Sequence, residues 1–320
     1  MTSVRKVGAE FLVNTNLLWD QSVPQITALT NGKFVVIWQD GIPGAPGFPY
    51  ADTSGLAVKA QVFDATGAKV GGEIRVNSAT VNDQYAAQVT SLSNGGFVVT
   101  WQDSSHAQGG ASGDPDGLAV KAQVFDPNGN KIGGELLINT NWVWEQFVPQ
   151  ITSLPNGGFV VTWQDGIQNA YLFPYADGSG LAVKAQVFSA TGAKVGGELL
   201  VNTRTADDQW APQITALPTG GFVVVWQDGR QNDAGYTGAD GSGLAVKAQV
   251  FAVLPTLTVG APTATLIEAG APGGGVSSST VAVTLDGSSG FTTTGWTAVS
   301  GSTTRFTRAG TYGTATLDTA

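Results

Sequence analysis

The sequence predicts an all-β protein, and three observations lead to that class. The 320 residues include 44 Gly, 14 Phe and 9 Trp but only 12% charged residues, a composition that favours strands and turns. The string FVVxWQD, where x varies, occurs four times, and its tryptophan recurs about every 62 residues as Trp38, Trp101, Trp163 and Trp226. The string GLAVKAQVF also occurs four times, without change.

Each repeat contains four strand-like runs separated by residues typical of turns. In the first repeat these runs cover 24–29, 34–39, 56–63 and 73–77. Four antiparallel strands in a unit of this length are typical of one blade of a β-propeller. The second run, FVVIW, is apolar on both faces, so we expect its tryptophan in the core.

The ends of the repeat array predict how the ring closes. The fourth repeat stops after its third strand at Phe251, whereas a spare strand of the fourth type, GAEFLVNT at 8–15, precedes the first repeat. Pairing the two would remove exposed sheet edges. We therefore expect a four-bladed β-propeller over 1–253, closed by the N-terminal strand, with repeats at about 8–70, 71–132, 133–195 and 196–253. The alternative is an open array that a second chain completes.

A different composition follows the repeats. Residues 254–279 are rich in Pro, Gly, Ala and Thr and predict a linker with the first tail strands, while 280–320 predict a small β-sandwich-like region. The string FTRAGTYGTATLD resembles the end of a VCBS-type repeat, a β-sandwich module of bacterial surface and secreted adhesins. The patterns GGFVVxW, AQVFD and GGE resemble repeats of exported, calcium-associated proteins. These resemblances imply export and adhesion.

Charge and composition exclude several classes of partner. A net charge of −9 without a cluster of Lys or Arg argues against nucleic acid and anionic lipid. The chain contains no cysteine and no apolar stretch long enough for membrane insertion. The N-terminus lacks the apolar segment of a cleaved signal, so we expect a secreted or cell-surface protein exported without one.

The long loop between the second and third strands is acidic in every repeat. Such oxygen-rich loops suit calcium, although Asp and Gly are also ordinary turn formers, and both interpretations stay open. The predicted calcium ligands are Asp40, Asp52, Asp103, Asp116, Asp165, Asp177, Asp228 and Asp240. The lysine of each GLAVKAQVF string needs an acidic partner, either the Asp of WQD or the acid at Asp20, Asp83, Glu145 and Asp208.

Aromatic residues concentrate in the first and third repeats. They could form a platform for sugar rings or a protein partner, or could pack on each other within the loops. The predicted ligand-binding residues are Trp19, Phe48, Tyr50, Trp142, Trp144, Tyr171, Phe173 and Tyr175. The single histidine, His106, excludes a triad repeated around the ring.

The sequence therefore predicts a non-enzymatic binding module of an exported adhesin-like protein, which recognises a glycan or cell-surface partner with help from calcium. A structural subunit that self-assembles is the first alternative. A glycosidase, which needs a suitably spaced pair of carboxylates, is the second.

Overall fold

A computed structural model describes residues 4–43, 55–105, 117–140, 143–167, 177, 180–229 and 243–253, together with short strands of the tail. The chain divides into two compact units, Met1–Ala252 and Val253–Ala320. Within the described residues, no helix is long and apolar enough to span a membrane.

The first unit consists of consecutive antiparallel sheets, which we call blades 1 to 4. Each blade is a meander in which neighbouring strands pair in sequence order. Blade 1 comprises β1 (Gln21–Ala28), β2 (Phe34–Asp40), β3 (Ala57–Phe63) and β4 (Lys69–Arg75). Blade 2 comprises β5 (Gln84–Ser91), β6 (Phe97–Asp103), β7 (Ala119–Phe125) and β8 (Lys131–Leu137). Blade 3 comprises β9 (Gln146–Ser153), β10 (Phe159–Gly166), β11 (Leu181–Phe188) and β12 (Lys194–Leu200). Blade 4 has three strands, β13 (Gln209–Ala216), β14 (Phe222–Asp228) and β15 (Ala245–Phe251).

The predicted all-β class and the four-strand repeat are confirmed. The main difference concerns the fourth strand of each repeat, which begins at Lys69 in blade 1 rather than at 73. The preceding turn is tighter than expected because the Asp64 carboxylate accepts hydrogen bonds from the backbone of Thr66 and Ala68. The register of this longer fourth strand with the third strand shifts at a bulge between the pairs made by Ala60 and Val62.

The core lies between neighbouring blades. Trp101 and Trp163 are fully buried, which confirms the prediction that the repeated tryptophans belong to the core. The phenylalanine that begins the second strand stacks in register on the phenylalanine that ends the third, with ring centroids of Phe97 and Phe125 at 4.7 Å. Full burial of side chains this large stabilises the fold by roughly 1.5–3 kcal/mol each.

The outward faces of the first and last blades are exposed. Val23 and Ile26 of β1 are 52% and 66% exposed, and Val246 and Val250 of β15 are 80% and 59% exposed. The predicted pairing of residues 8–15 with the fourth blade is not present among the described strands, where the blade 4 sheet is β13-β14-β15. The segment at 8–15 lies instead against blade 1, where Phe11 contacts Phe63 with ring centroids at 5.3 Å.

In the tail, two small antiparallel sheets are described. One pairs β16 (Leu257–Val259) with β17 (Val283–Leu285), and the other contains β18 (Thr297–Ala298), β19 (Arg305–Gly310) and β20 (Gly313–Asp318). The string that resembles a VCBS-type repeat forms the hairpin of β19 and β20. The resemblance itself stays a prediction.

Candidate functional site

The long loops leave all blades from one end of the sheets, which we call the loop end. It is defined in blade 1 by the register partners Gln21, Asp40 and Ala57. Short hairpin turns lie at the opposite end, which we call the turn end. There a cavity of about 390 Å³ is lined by residues from all four blades: Thr30, Ser91, Leu92, Ser93, Ser153, Leu154, Pro155, Ala216, Leu217 and Pro218.

Near the loop end, each blade contains a lysine paired with the aspartate of WQD, and this lysine is buried in blades 2 and 3. In blade 2 the Lys121 Nζ lies 2.7 Å from Asp103 Oδ2 and 3.3 Å from Glu135 Oε2. Blade 3 repeats this arrangement with Lys184, Asp165 and Glu198, both N–O distances being 2.8 Å. The WQD aspartate is therefore the partner that the lysine needed. The glutamate of the fourth strand was missed, although its GGE motif recurs in the first three repeats.

Burial and pairing act against each other in this cluster. Burial raises the pKa of the Asp165 carboxyl, and the neighbouring Lys184 opposes that rise. For Lys184, burial lowers the pKa of the ammonium group, but Asp165 and Glu198 more than offset this, so that it is raised. The lysine is consequently charged at neutral pH and ties the two carboxylates together, which gives the cluster a structural role.

The acid that precedes blades 2, 3 and 4 accepts a hydrogen bond from the backbone of the blade before it, a contact that we call the acid clamp. Asp83 Oδ1 accepts a 2.8 Å hydrogen bond from the Leu56 backbone N–H, and Glu145 Oε2 accepts one of 3.0 Å from Leu118. Asp208 Oδ1 does the same with Leu181 at 2.9 Å. The same column contains Asp20, which is exposed, and no hydrogen bond to its carboxylate is present among the described residues. These acids therefore serve blade–blade contact.

Two exposed tryptophans stand next to this acidic column. Trp19 and Trp144 are 43% and 38% exposed and have left-handed φ angles of 67° and 72°. The equivalent residues of blades 2 and 4, Asn82 and Asp207, have φ angles of 58° and 67°. The backbone thus needs a left-handed residue here in every blade. Blades 2 and 4 use residues that tolerate this conformation, and blades 1 and 3 use tryptophan, which rarely adopts it.

The other predicted ligand-binding aromatics lie outside the described residues, namely Phe48, Tyr50, Trp142, Tyr171, Phe173 and Tyr175. Of the predicted calcium ligands, Asp52, Asp116 and Asp240 also lie outside them. Asp177 is described and half-buried, and its Oδ2 accepts a hydrogen bond from Asn202 Nδ2.

The remaining predicted calcium ligands are the WQD aspartates, and each is ion-paired with lysine. The Nζ–Oδ2 distances are 3.8 Å for Asp40, 2.7 Å for Asp103, 2.8 Å for Asp165 and 2.6 Å for Asp228. In the part of the chain that the structure describes, no three His, Cys, Asp or Glu residues are grouped as metal ligands would be. Calcium binding stays a prediction.

No family model and no curated protein match the sequence. Among solved structures, the chain is similar to a thermostable family-43 glycoside hydrolase, at 14% identity over 72% of this chain and 71% of that one, with a TM-score of 0.40. An endo-arabinase from Bacteroides thetaiotaomicron has 11% identity over 74% and 78% of the two chains and a TM-score of 0.39. The GH93 α-L-arabinofuranosidase of Fusarium graminearum has 15% identity over 78% and 71% and a TM-score of 0.41.

These comparisons correct the functional prediction. The three similar structures are named as a glycoside hydrolase, an endo-arabinase and an α-L-arabinofuranosidase. The prediction of a non-enzymatic adhesin module is corrected on this finding, since the similar structures are named as enzymes and none as an adhesin. At identities of 11–15%, no active-site residue of those enzymes is transferred to this chain.

Proposed function

We propose that the protein is a glycoside hydrolase whose substrate binds at the loop end of blades 1 and 3. The observation that carries this proposal is the pair of exposed tryptophans, Trp19 and Trp144, at backbone positions that disfavour tryptophan. A non-glycine residue in a sparsely populated region costs about 1–3 kcal/mol. Blades 2 and 4 lower this cost with Asn82 and Asp207, because Asn and Asp adopt the left-handed region more readily, so the left-handed backbone by itself does not require an indole.

An exposed indole beside carboxylates and amides is suited to a sugar. Its face is apolar and can stack on the C–H face of a pyranose or furanose ring, while the surrounding polar groups hydrogen-bond the hydroxyls. Carboxylates and amides are close by in sequence, since Asp20 and Gln21 follow Trp19, and Glu145 and Gln146 follow Trp144.

Hydrolysis also needs two carboxylates, one of which protonates the leaving oxygen. The WQD aspartates are unsuitable because they are at most 1% exposed and held by lysine. We assign this chemistry to Asp52 and Asp177, the acids that end the two FPYAD strings of the odd repeats. The hydrogen bond from Asn202 to Asp177 supports a position of that acid at the loop end of blade 3.

The test is the release of reducing sugar from a panel of arabinans, xylans and galactans and from aryl glycosides. The Trp19→Asn, Trp144→Asn double variant should lower activity at least tenfold at low substrate concentration, which corresponds to about 1.4 kcal/mol of lost binding. Its melting temperature should stay the same or rise, because asparagine tolerates the left-handed backbone. Val81→Ala, at a 42% exposed position of blade 2, is the matched control.

Asp52→Asn and Asp177→Asn should each abolish turnover while the protein still binds the polysaccharide. If the wild-type protein releases no sugar from the whole panel, hydrolysis is refuted. If it releases sugar but the double tryptophan variant is as active as Val81→Ala, the assignment of the site is refuted.

Three further proposals concern export, calcium and the closure of the ring. We propose that the protein is exported, on the resemblance of its repeats, and that the long loops bind calcium. We also propose that the four blades form a closed ring, and the contacts that would close it are specific enough to be tested on their own.

A further inference from the structure

The junctions between neighbouring blades share recurring contacts. Besides the acid clamp, a glutamine at the end of the second strand accepts a hydrogen bond from the next blade. Gln102 Oε1 accepts it from the Val148 N–H at 3.0 Å, and Gln164 Oε1 from the Ala211 N–H at 2.7 Å. A further contact comes from the fourth strand, whose Ile74 packs at Gly129 in blade 2 as Leu136 packs at Gly192 in blade 3.

The segment at 8–15 binds blade 1 as the fourth strand of a preceding blade would. Phe11 packs at Gly67, in the way that Ile74 packs at Gly129. The Thr15 N–H donates to Glu73 Oε2 at 2.8 Å, and the equivalent Thr140 N–H donates to Glu198 Oε2 at 2.7 Å. Lys69 Nζ donates to Thr15 Oγ1 at 3.2 Å, the distance that separates Lys194 Nζ from Thr140 Oγ1. The segment therefore lies against blade 1 where the fourth strand of a preceding blade would lie. Within the described residues, it is not paired into a sheet of its own.

Within the described residues, blade 4 has no counterpart of the groups that this segment carries. In blades 1 to 3 the lysine of the third strand binds a glutamate of the fourth, as Lys59 binds Glu73 at 3.3 Å. In the described residues Lys247 has only Asp228 as an acidic partner, and its side chain is 32% exposed. Alignment of GAEFLVNT with GGEIRVNS places Glu10 at the position of Glu73.

The same alignment places Asn14 at the position of Asn77. Asn77 Oδ1 accepts a 3.0 Å hydrogen bond from the Val58 N–H, and Asn77 Nδ2 donates to Gln84 Oε1 at 2.8 Å. Asn14 makes the second contact, to Gln21 Oε1 at 3.2 Å. Its counterpart for the first contact is the N–H of Val246, which lies on the exposed β15.

We propose that residues 7–15 of the same chain add to β15 as the fourth strand of blade 4 and close the ring through a defined set of contacts. Glu10 binds Lys247, Asn14 accepts from Val246, Asp20 accepts from Leu244, and Gln227 accepts from Val23. This inference does not depend on the proposed activity.

Two observations favour closure within one chain over pairing between chains. The turn ends of blades 1 and 4, at Thr30 and at 216–218, already line the same cavity, so the array bends back on itself. An intramolecular partner also has an effective concentration in the millimolar range, which exceeds the concentration of a second copy in a dilute solution.

Because the chain contains no cysteine, two introduced cysteines can form disulfides only with each other or with those of another copy. In blade 3, Val187 and Val195 are directly opposed on the third and fourth strands, and Val250 and Val7 are their counterparts. Directly opposed residues of antiparallel strands lie at a Cα distance that a disulfide accepts. The test is therefore the double variant Val7→Cys, Val250→Cys. Because both side chains are exposed, we expect this variant to fold as the wild type does. Val187→Cys, Val195→Cys is the positive control.

On mild oxidation at micromolar protein, the test variant should lose its free thiols and run as a monomer in non-reducing gels, with the yield of the control. Persistent free thiols, or disulfide-linked dimers and ladders, would overturn closure within one chain. A second measurement compares Asp20→Asn with Asp83→Asn. Closure predicts equal losses of melting temperature, whereas an unchanged melting temperature for Asp20→Asn contradicts it.

Discussion

Replacing Lys121 with methionine should destabilise the protein strongly. The Lys121 side chain is 5% exposed, and its ammonium group neutralises Asp103, which is fully buried, and Glu135, which is 14% exposed. Methionine fills a similar volume but leaves both carboxylates without the ammonium group that neutralises them. Loss of one partner from a buried ion pair costs about 3–5 kcal/mol. At roughly 2–4 °C per kcal/mol for a unit of this size, the melting temperature should fall by about 6–20 °C.

Urea unfolding followed by tryptophan fluorescence measures this cost, since Trp101 is the register partner of Lys121. Lys194→Met is the matched control. That lysine is exposed and donates to Thr140 Oγ1 at 3.2 Å, so its loss should cost no more than about 0.5 kcal/mol. The Lys121→Met, Asp103→Asn double variant should recover part of the lost stability, because it removes the buried charge. Equal midpoints for Lys121→Met and Lys194→Met would refute the reasoning.

The other predictions concern the blade contacts and calcium. Gly117→Ala should cost about 2 kcal/mol more than Gly133→Ala, measured by urea unfolding. Both glycines have a left-handed φ, but only at Gly117 would a Cβ overlap the next blade, at the Trp144 carbonyl, and equal costs would contradict this. Calcium at ten times its Kd should stabilise the protein by about 1.4 kcal/mol, and a chelator should reverse the shift in melting temperature. Asp116→Asn and Asp240→Asn, loop acids without an assigned catalytic role, should reduce that shift, and a melting curve unaffected by calcium would leave the loop aspartates without a metal role.

The repeated strands could be predicted because their sequences are periodic and nearly identical. A strand that is apolar on both faces, such as FVVTW, has few alternatives to burial between two sheets. The lysine could be assigned a partner for the same reason, since a charge in that strand must be neutralised. The glutamate partner was harder to predict. Glu73 lies in a strand whose register with β3 shifts at a bulge, and a bulge changes which residues face each other.

Contacts between blades could not be predicted, because they join residues 27 to 58 positions apart whose chemistry is ordinary for loops. The Asp83 carboxylate caps the Leu56 N–H only because the left-handed Asn82 turns the chain toward the preceding blade. The sequence also could not separate three roles for the acids. Turn capping, calcium binding and ion pairing all use Asp, and the lysine distances were needed to assign ion pairing to Asp103 and Asp165.

Repeat symmetry helps to separate structural residues from functional ones at the loop end. The lysine–aspartate pair occurs in all four blades, so it is explained by the needs of the blade. All four blades also have a left-handed residue before the acidic column. The side chain at this position differs between blades: it is Trp19 and Trp144 in blades 1 and 3, and Asn82 and Asp207 in blades 2 and 4. A backbone requirement common to every blade cannot explain a side chain present in only two. The left-handed backbone by itself therefore does not account for the indoles, and under the proposed function a sugar ring stacked on their exposed faces would account for them.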